Sequence, residues 1–315
     1  MFRFNKFLQW CRIKYLWKVI SIFFIISNNY FYRLKLDIAL KELHSEKKFE
    51  ELFFWGKIIG EENDYFICFG LNFEGRYGFP GKEFYFAPSN TYKFELLPET
   101  YPYHDDDFKK SYSKPLKGKP EEIIKKYKEE VPEGEEPEEE KAPEGEDEEN
   151  KNTDPDASVD DNAPKKPEPK ENFTEKLKLS YIVRKIDTDT SVIPKGAVKL
   201  TPEHQYRMNK TYKGLKPEEL RNFANYIHFR PIIKDEKKLE VENSDAVFSC
   251  DILDSIDTDD VRGSWSIQLD PSKKISNVRS LLWPGYFAVH QSDSNIFGSV
   301  YIGKGKKNAE LPFMI

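Results

Sequence analysis

The stretch FFWGKIIGEENDYFICFG, residues 53–70, contains the two β-prone runs that decide the fold. Each run combines aromatic and aliphatic side chains with glycine, and four polar residues, 61–64, separate the runs. Two aromatic-rich runs joined by a short polar turn predict an antiparallel β-hairpin. Large aromatic side chains suit either a sheet core or a buried contact between proteins. The hairpin is therefore compatible with either a structural scaffold or a binding site.

An amphipathic helix is predicted directly before the hairpin, over residues 34–52, because its apolar positions recur at the spacing of one helix face. These positions are Leu36, Ala39, Leu40 and Leu43, continued by Phe49, Leu52 and Phe53. A second helix is predicted near residues 217–228, opened by Pro217, with Leu220, Phe223, Ala224 and Ile227 on one face.

Further strands are predicted on both sides of a long polar stretch in the middle of the chain. Leu177, Leu179, Tyr181 and Val183 alternate like a strand, and residues 187–190 resemble a turn before another strand. The other predicted strands cover residues 83–86, 92–97, 264–269, 286–290 and 297–302. The predicted fold class is α+β, with a mainly antiparallel sheet in two blocks.

The polar stretch predicts a disordered acidic insertion over residues 117–171. Within it, residues 131–170 carry 16 acidic and 5 basic side chains, seven prolines and no aromatic residue. Such a composition cannot bury enough apolar surface to offset the backbone entropy lost on ordering, about 1–2 kcal/mol per residue. The predicted domain organisation is an N-terminal block (34–116), the insertion, and a C-terminal block (172–315) that completes one domain.

Residues 1–33 form a basic, apolar extension with six basic side chains and no acidic one. The apolar run at 19–26 is shorter than the ~20 residues of a membrane-spanning helix, and no small-residue cleavage site follows it. The extension fits an appended surface helix, a wrongly assigned start codon, or a membrane-surface segment.

Composition excludes several classes of protein. The net charge of the 315-residue chain is −6, and outside the two charged segments the chain is nearly neutral, which disfavours a nucleic-acid-binding protein. Its three cysteines, Cys11, Cys68 and Cys250, are far apart and include no C-x-x-C pair. This pattern argues against a disulfide framework and a cysteine zinc site.

No motif in the sequence predicts a catalytic, cofactor or metal site. Residues 298–304, GSVYIGK, match the start of a phosphate-binding loop, but Gly305 follows where Ser or Thr would hold magnesium. The aspartates at 251–260 lack the spacing of a calcium loop. The five histidines have no serine or cysteine in a nucleophile elbow, although folding could assemble a triad from distant residues. We expect no enzyme activity, no cofactor and no small-molecule substrate.

Aromatic residues make up 15% of the chain, as in proteins rich in buried contacts. We expect exposed aromatic side chains of two hairpins to anchor partner proteins, and the alanine variant of one of them, Trp283, to lose its partners while remaining folded. The candidate anchors are Phe54, Trp55, Tyr65, Trp283, Tyr286 and Phe287.

The chain resembles the radial spoke head protein 9 family. The resemblance rests on motifs that occur in the family's order and reach the last residue. They are residues 53–70, IPKGAV (193–198), NKTYKGL (209–215), FANYIHFRP (223–231), GSWSIQLD (263–270), RSLLWPGYFAVH (279–290) and the C-terminal FGSVYIGKGKKNAELPFMI. Two features depart from the family: residues 1–33 have no counterpart, and the acidic insertion is longer than expected.

The resemblance implies a non-enzymatic structural subunit of the radial spoke head in the axoneme of motile cilia, with a cytoplasmic pool before assembly. Its implied partners are other spoke head subunits, especially the radial spoke head protein 4/6 family, a second copy of itself, and central-pair projections in transient contact. Its implied role is to pass mechanical signals between the central pair and the dynein arms. The alternative is a membrane-surface or general protein-binding adaptor outside the spoke.

Overall fold

A computed structural model describes residues 30–47, 49–73, 79–127, 172–243, 249 and 251–313. In this part of the chain the helices are α1 (Tyr30–Lys47), α2 (Asp105–Ser111), α3 (Glu175–Thr190) and α4 (Asp235–Asn243). The strands are β1 (Glu51–Ile58), β2 (Tyr65–Asn72), β3 (Gly81–Pro88), β4 (Glu95–Leu96), β5 (Ile123–Lys125), β6 (Phe173–Thr174), β7 (Val192–Pro194), β8 (Val198–Leu200), β9 (Tyr206–Met208), β10 (Tyr226–His228), β11 (Trp265–Leu269), β12 (Ile275–Ser280), β13 (Tyr286–Gln291) and β14 (Phe297–Gly303).

Eight strands from both sides of the acidic insertion form one sheet in the order β11-β12-β13-β14-β1-β2-β3-β4. The predicted hairpin is confirmed as β1 and β2, which pair antiparallel from Glu51 opposite Leu71 to Ile58 opposite Tyr65. β1–β4 form one antiparallel meander and β11–β14 form another. A parallel pairing of β1 with β14 joins the two meanders. The α+β class is confirmed, and the parallel joint makes the sheet mixed.

A β-bulge in β1 shapes the joint between the meanders. The register with β2 shifts between Phe54 and Gly56, and the ring of the intervening Trp55 packs in the core. Gly56 lies opposite Tyr301 of β14 with a φ of +154°. A Cβ atom at Gly56 would lie 2.1 Å from the carbonyl oxygen of Tyr301. Only glycine allows the two backbones to approach this closely.

Helix α3 packs against one face of the sheet and forms much of the core. Leu179, Ile182, Val183 and Ile186 are buried in the same cluster as side chains of β1, β2, β13 and β14. The prediction of a strand at 177–183 and a turn at 187–190 is therefore wrong. Helix α3 is buried on most of its circumference, so apolar residues also occur two positions apart along it. This spacing imitates the alternation of a strand.

Helix α1 covers part of the opposite face. Leu36 packs with Phe66 and Tyr92, and Leu43 packs with Cys68 and Tyr85. The predicted helix is confirmed, but it ends at Lys47. Its predicted continuation is wrong because strand β1 already begins at Glu51, and Phe49 and Leu52 instead pack between α1 and the sheet.

The predicted second helix near 217–228 is wrong. This segment forms two short 3-10 turns, Glu219–Arg221 and Phe223–Asn225, followed by β10. Asn222 has an extended backbone, and its side-chain oxygen accepts from the backbone N–H of Ala224. This cap starts a new turn and interrupts the helix, as asparagine does at such positions. β10 then pairs with β7.

The beginning of the predicted insertion is structured. Residues 117–127 are described, and β5 within them pairs with β6 on the far side of the insertion. Buried Glu175 accepts hydrogen bonds from the backbone N–H groups of Lys117, Gly118 and Lys119. These bonds hold 117–119 in place, so the prediction of disorder is wrong for residues 117–127. Residues 128–171 and 1–29 lie outside the described residues, and the domain boundaries remain predictions.

Candidate interaction surface

Four of the six candidate anchors are buried inside the chain itself. Trp55, Tyr65, Trp283 and Tyr286 all belong to the main core cluster, and only 1% of the surface of Trp283 is exposed. Their prediction as exposed partner anchors is wrong in this fold, because rings that already fill the core cannot insert into a partner.

The polar atoms of these four residues hold helix α3 and the residues directly after it in place. The indole N–H of Trp55 donates to Asp187 at 3.2 Å, and that of Trp283 donates to Asp189 at 2.9 Å. The Tyr65 hydroxyl donates to Glu175 at 2.7 Å. The Tyr286 hydroxyl accepts from the backbone N–H of Val192, two residues after α3, at 2.8 Å. Aromatic residues that look like binding anchors in the sequence thus position a helix that the sequence did not reveal.

A buried ion pair strengthens the same contact. Lys82 of β3 donates to Asp187 at 2.7 Å, to Ser191 at 3.2 Å and to the carbonyl oxygen of Phe229 at 2.6 Å. Burial lowers the pKa of Lys82, and the Asp187 carboxylate acts in the opposite direction. Asp187 therefore joins β3 through Lys82 and β1 through Trp55. An unpaired charge at either position would be costly in this core.

Phe54 and Phe287 lie on the other face of the sheet and are half-buried. Phe54 packs against Val300, as do Val289 and Ile302. Phe287 pairs across the ladder with Val300, and the guanidinium group of Arg279 lies 5.6 Å from the Phe287 ring. For these two residues the role of partner anchor remains a prediction.

Sequence reasoning missed a group of exposed and half-buried apolar side chains at the base of the insertion. Tyr101 and Tyr103 stack at 5.4 Å, and the ring of Tyr127 lies 6.4 Å from that of Tyr103. Ile123 and Ile124, four and three residues before Tyr127, are 43% and 38% exposed. We call these five residues the insertion-base patch. The patch could have been predicted from the apolar pair Ile123-Ile124, which stands next to a stretch rich in proline and glutamate.

The residues considered for catalysis have structural partners. His228 lies 2.9 Å from Asp259, whose other oxygen accepts from the indole N–H of Trp265, a group that cannot act as a nucleophile. Burial raises the pKa of the Cys68 thiol, which opposes thiolate formation. Residues 298–303, predicted as strand rather than phosphate loop, are part of β14.

Within the described residues, no group of three or more His, Cys, Asp or Glu side chains is placed to hold a metal ion. Among the described helices, none combines the length and apolar character needed to span a membrane.

His290 is expected to make the stability of the protein depend on pH. Its Nε2 accepts from the backbone N–H of Leu215 at 3.0 Å, and its Nδ1 lies 3.1 Å from the carbonyl oxygen of Ile296. Burial lowers the pKa of His290 from 6.5 to about 4. Between these values the unfolded chain binds a proton that the folded chain does not, so this contribution to stability falls as pH falls from 6.5 to 4.

The test is urea unfolding of the wild type and the His290→Asn variant from pH 7 to pH 4. The variant is expected to be less stable at pH 7, and the difference should shrink toward pH 4 by at most about 1.4 kcal/mol per pH unit. Other titrating groups change the unfolding free energy of both proteins equally, so their effect cancels in the difference. A difference that stays constant across this range would show that His290 does not titrate as described.

Comparison with known proteins identifies the class of the chain. The family model described as radial spokehead-like protein matches residues 26–178. The radial spoke head protein 9 homolog of Danio rerio is 30% identical over 283 residues, which cover 90% of this chain and 91% of that protein. The homologs of Mus musculus and Homo sapiens are 40% and 37% identical over 141 residues, and these alignments span about half (51%) of those relatives.

The chain is thus a radial spokehead-like protein with an α+β fold built on a mixed sheet. Within that class it belongs to the radial spoke head protein 9 family, a family of the radial spokes of the ciliary axoneme.

Proposed function

We propose that this protein is a non-enzymatic structural subunit of the radial spoke head in motile cilia. The observation that carries the proposal is the 30% identity to the Danio rerio radial spoke head protein 9 homolog over 91% of its length. In the proposed role, the protein helps to pass mechanical signals between the central pair and the dynein arms and so to regulate the beat. It would reside in the cytoplasm before assembly.

The described fold supports a mechanical role. One eight-stranded sheet runs through the domain, and hydrogen bonds from Trp55, Tyr65 and Trp283 and the Lys82–Asp187 ion pair attach α3 to it. Tyr286 holds Val192, two residues after α3, in the same way. Hydrogen-bonded and tightly packed interiors have low compressibility and transmit strain. A domain built in this way can relay a push across its width with little internal deformation.

The proposed partners are other spoke head subunits, foremost those of the radial spoke head protein 4/6 family. We also propose that the protein forms a homodimer within the head and makes transient contact with central-pair projections. A stable contact of this kind buries on the order of 1,200–2,000 Å². The insertion-base patch supplies exposed apolar side chains from which such a contact could be built.

Fractionation of isolated cilia that carry a tagged copy tests the proposed function. The membrane is removed with detergent, and the axonemes are then extracted with increasing salt and chaotrope. The protein should remain with the axonemes through the detergent step and leave them together with spoke head subunits. Release with the detergent would overturn the proposal and would favour the membrane-surface adaptor.

Substitution in the insertion-base patch should weaken assembly into the axoneme. Replacing Ile123 and Ile124 with serine removes exposed apolar surface outside the core, so the variant should fold and yet be depleted several-fold from axonemes. The measurement is the ratio of axonemal to soluble tagged protein. The control replaces the exposed Ile233 and Leu239 with serine. Equal retention of both variants would exclude the patch as a contact surface without affecting the family assignment.

A further inference from the structure

Four lysines come together where helix α3, the end of α2 and the C-terminal segment meet. We call them the lysine surface and define it by Lys114, Lys178, Lys306 and Lys307. The ammonium group of Lys178 in α3 donates to the carbonyl oxygen of Lys114 at 2.8 Å, which holds the segment after α2 against α3. The backbone N–H of Lys307 donates to the hydroxyl of Tyr112 at 2.6 Å, which holds the C-terminal segment beside the end of α2.

Lys178 is a buried cation whose lysine neighbours are also positively charged. Only 2% of its surface is exposed. Burial lowers the pKa of Lys178, and the positive charges of Lys114 and Lys306 lower it further. Residue 305 also touches α3, since a Cβ atom at Gly305 would lie 2.8 Å from a side-chain carbon of Ile182. Like charges held together in a partly dry environment are unfavourable unless an opposite charge lies close by.

The carboxylates near the lysine surface have other partners or lie at its margin. Glu175 raises the pKa of the α3 lysine, but its oxygens accept from the backbone of 117–119 and from a tyrosine hydroxyl. Asp189 accepts from the indole N–H of Trp283 and lies 3.4 Å from the ammonium group of Lys185. Glu310 follows the surface in the chain and is exposed. The positive charge is therefore left largely uncompensated by the part of the chain that the structure describes.

Other lysines of the same region show the opposite arrangement. Lys119 lies 2.9 Å from Glu62, and Lys117 forms an ion pair with Glu122. None of the four lysines of the lysine surface forms an ion pair with a described residue. Three of them, all except the buried lysine of α3, are exposed. The surface thus presents accessible positive charge over a buried charge of the same sign.

The chemistry of the lysine surface favours carboxylate groups as its ligands. Lysine presents a compact single charge, whereas the planar fork of arginine, which matches phosphate groups best, does not occur in the set. The whole chain has a net charge of −6, which opposes long-range attraction to nucleic acid or to an anionic membrane. A short acidic polypeptide segment needs only a local cluster of positive charge of this kind.

We propose that the lysine surface binds an acidic segment of a partner protein. The exposed lysines contact the carboxylates of the segment, and Lys178 beneath them adds its charge across a medium of low dielectric constant. The choice of a partner protein rests on the proposed function of this chain as a subunit of a larger assembly. Residues 131–170 of the chain itself carry the same chemistry, so the experiment separates the two sources.

Fluorescence anisotropy of a labelled oligoglutamate peptide, titrated with the purified full chain, tests the proposal. The peptide should bind, and its affinity should fall as the salt concentration is raised. Replacing Lys114, Lys306 and Lys307 with glutamine should lower the affinity about tenfold, because each exposed ion pair contributes a factor of up to about five. Circular dichroism checks that the variant is folded.

A matched control removes the same number of charges from exposed lysines that form no ion pair with a described residue. It replaces Lys216, Lys273 and Lys274 with glutamine. The peptide affinity of this control should remain within about twofold of the wild type, because salt screens charges far from the binding surface. An equal loss in both variants would show a general effect of net charge and would contradict the proposal.

Lys178→Met separates the charge of this residue from its packing. Methionine keeps an unbranched apolar side chain and removes the buried charge, so the peptide affinity should fall about threefold. The urea midpoint should stay the same or rise, because a buried charge without a counter-ion is removed. A lower midpoint together with wild-type affinity would show that Lys178 serves only the fold.

Three further results would contradict the proposal. The first is absence of peptide binding to the folded full chain under any salt condition. The second is binding to phosphatidylserine vesicles or to an oligonucleotide in place of the peptide, which would assign the surface to another class of ligand. The third is peptide binding only after the carboxylates of residues 131–170 are replaced by amides, which would show that the chain's own acidic stretch occupies the surface. The axoneme fractionation tests the spoke function separately, so the two failures are distinguishable.

Discussion

Replacing Trp283 with alanine is expected to lower the free energy of unfolding by about 3–5 kcal/mol, a large part of the ~5–15 kcal/mol of a typical domain. The substitution leaves a cavity where a side chain with 1% exposure was packed, and it removes the hydrogen bond from the indole N–H to Asp189. The measurement is urea unfolding followed by circular dichroism. This reverses the expectation from sequence that the variant would lose partners and stay folded.

Two controls separate the contributions to the Trp283 effect. Trp283→Phe keeps most of the apolar volume and loses the hydrogen bond to Asp189, so it should cost only about 1–3 kcal/mol. Leu281→Ala, two residues away and 41% exposed, should change stability by less than about 0.5 kcal/mol. If the alanine variant keeps wild-type stability, Trp283 is not a core residue and its role as a partner anchor is open again.

Replacing Gly56 with valine is expected to have the largest effect of any single substitution, at least about 4 kcal/mol. Two costs combine at this position. The φ of +154° is unfavourable for a branched side chain, and a Cβ atom would lie 2.1 Å from the Tyr301 carbonyl oxygen. β14 would have to move away from β1, which would open the only parallel pairing of the described sheet.

Hydrogen exchange locates the Gly56 effect within the sheet. Amides of β1 and β14 should lose protection first, while the β2–β3 pairing retains more of it, because the damage begins at the joint. Gly81→Ala is the matched control, since Gly81 opens β3 and is not among the glycines with positive φ. Uniform loss of protection in both variants would contradict the assignment of Gly56 to the joint.

Short-range features of this fold could be predicted from the sequence. The β1–β2 hairpin and strands β11, β13 and β14 follow from local alternation and turn residues, because each forms with its neighbours along the chain. The parallel pairing of β1 with β14 could not be predicted in this way. It joins residues such as Gly56 and Tyr301, and no local pattern specifies a contact over such a separation.

Helix α3 could have been found with a different test. Leu179, Ile182, Val183 and Ile186 follow the i, i+3, i+4, i+7 spacing, and Thr174 caps the helix by accepting from the backbone N–H of Leu177. Residues 177–183 also alternate in the way that a strand does. A helix buried on most of its circumference satisfies both patterns, and length then favours the helix.

The prediction of exposed anchors was wrong for a related reason. Aromatic residues in a strand alternate between two faces, and the sequence alone does not show which face a helix will cover. Once α3 is placed, Trp55, Tyr65, Trp283 and Tyr286 fall on its side of the sheet. Phe54 and Phe287 fall on the other face, and their role as partner anchors remains a prediction.

The β5–β6 ribbon has a practical consequence. The backbone N–H of Tyr127 donates to the side chain of Asn172 at 2.9 Å, so the chain leaves and re-enters the fold at neighbouring points. Because loop closure costs only about 0.6 kcal/mol for each doubling of loop length, the segment between these points can change in length at little cost. A fluorescent domain whose own termini lie close together could be spliced in here, and the protein could then be tracked in a beating cilium with both of its ends unmodified.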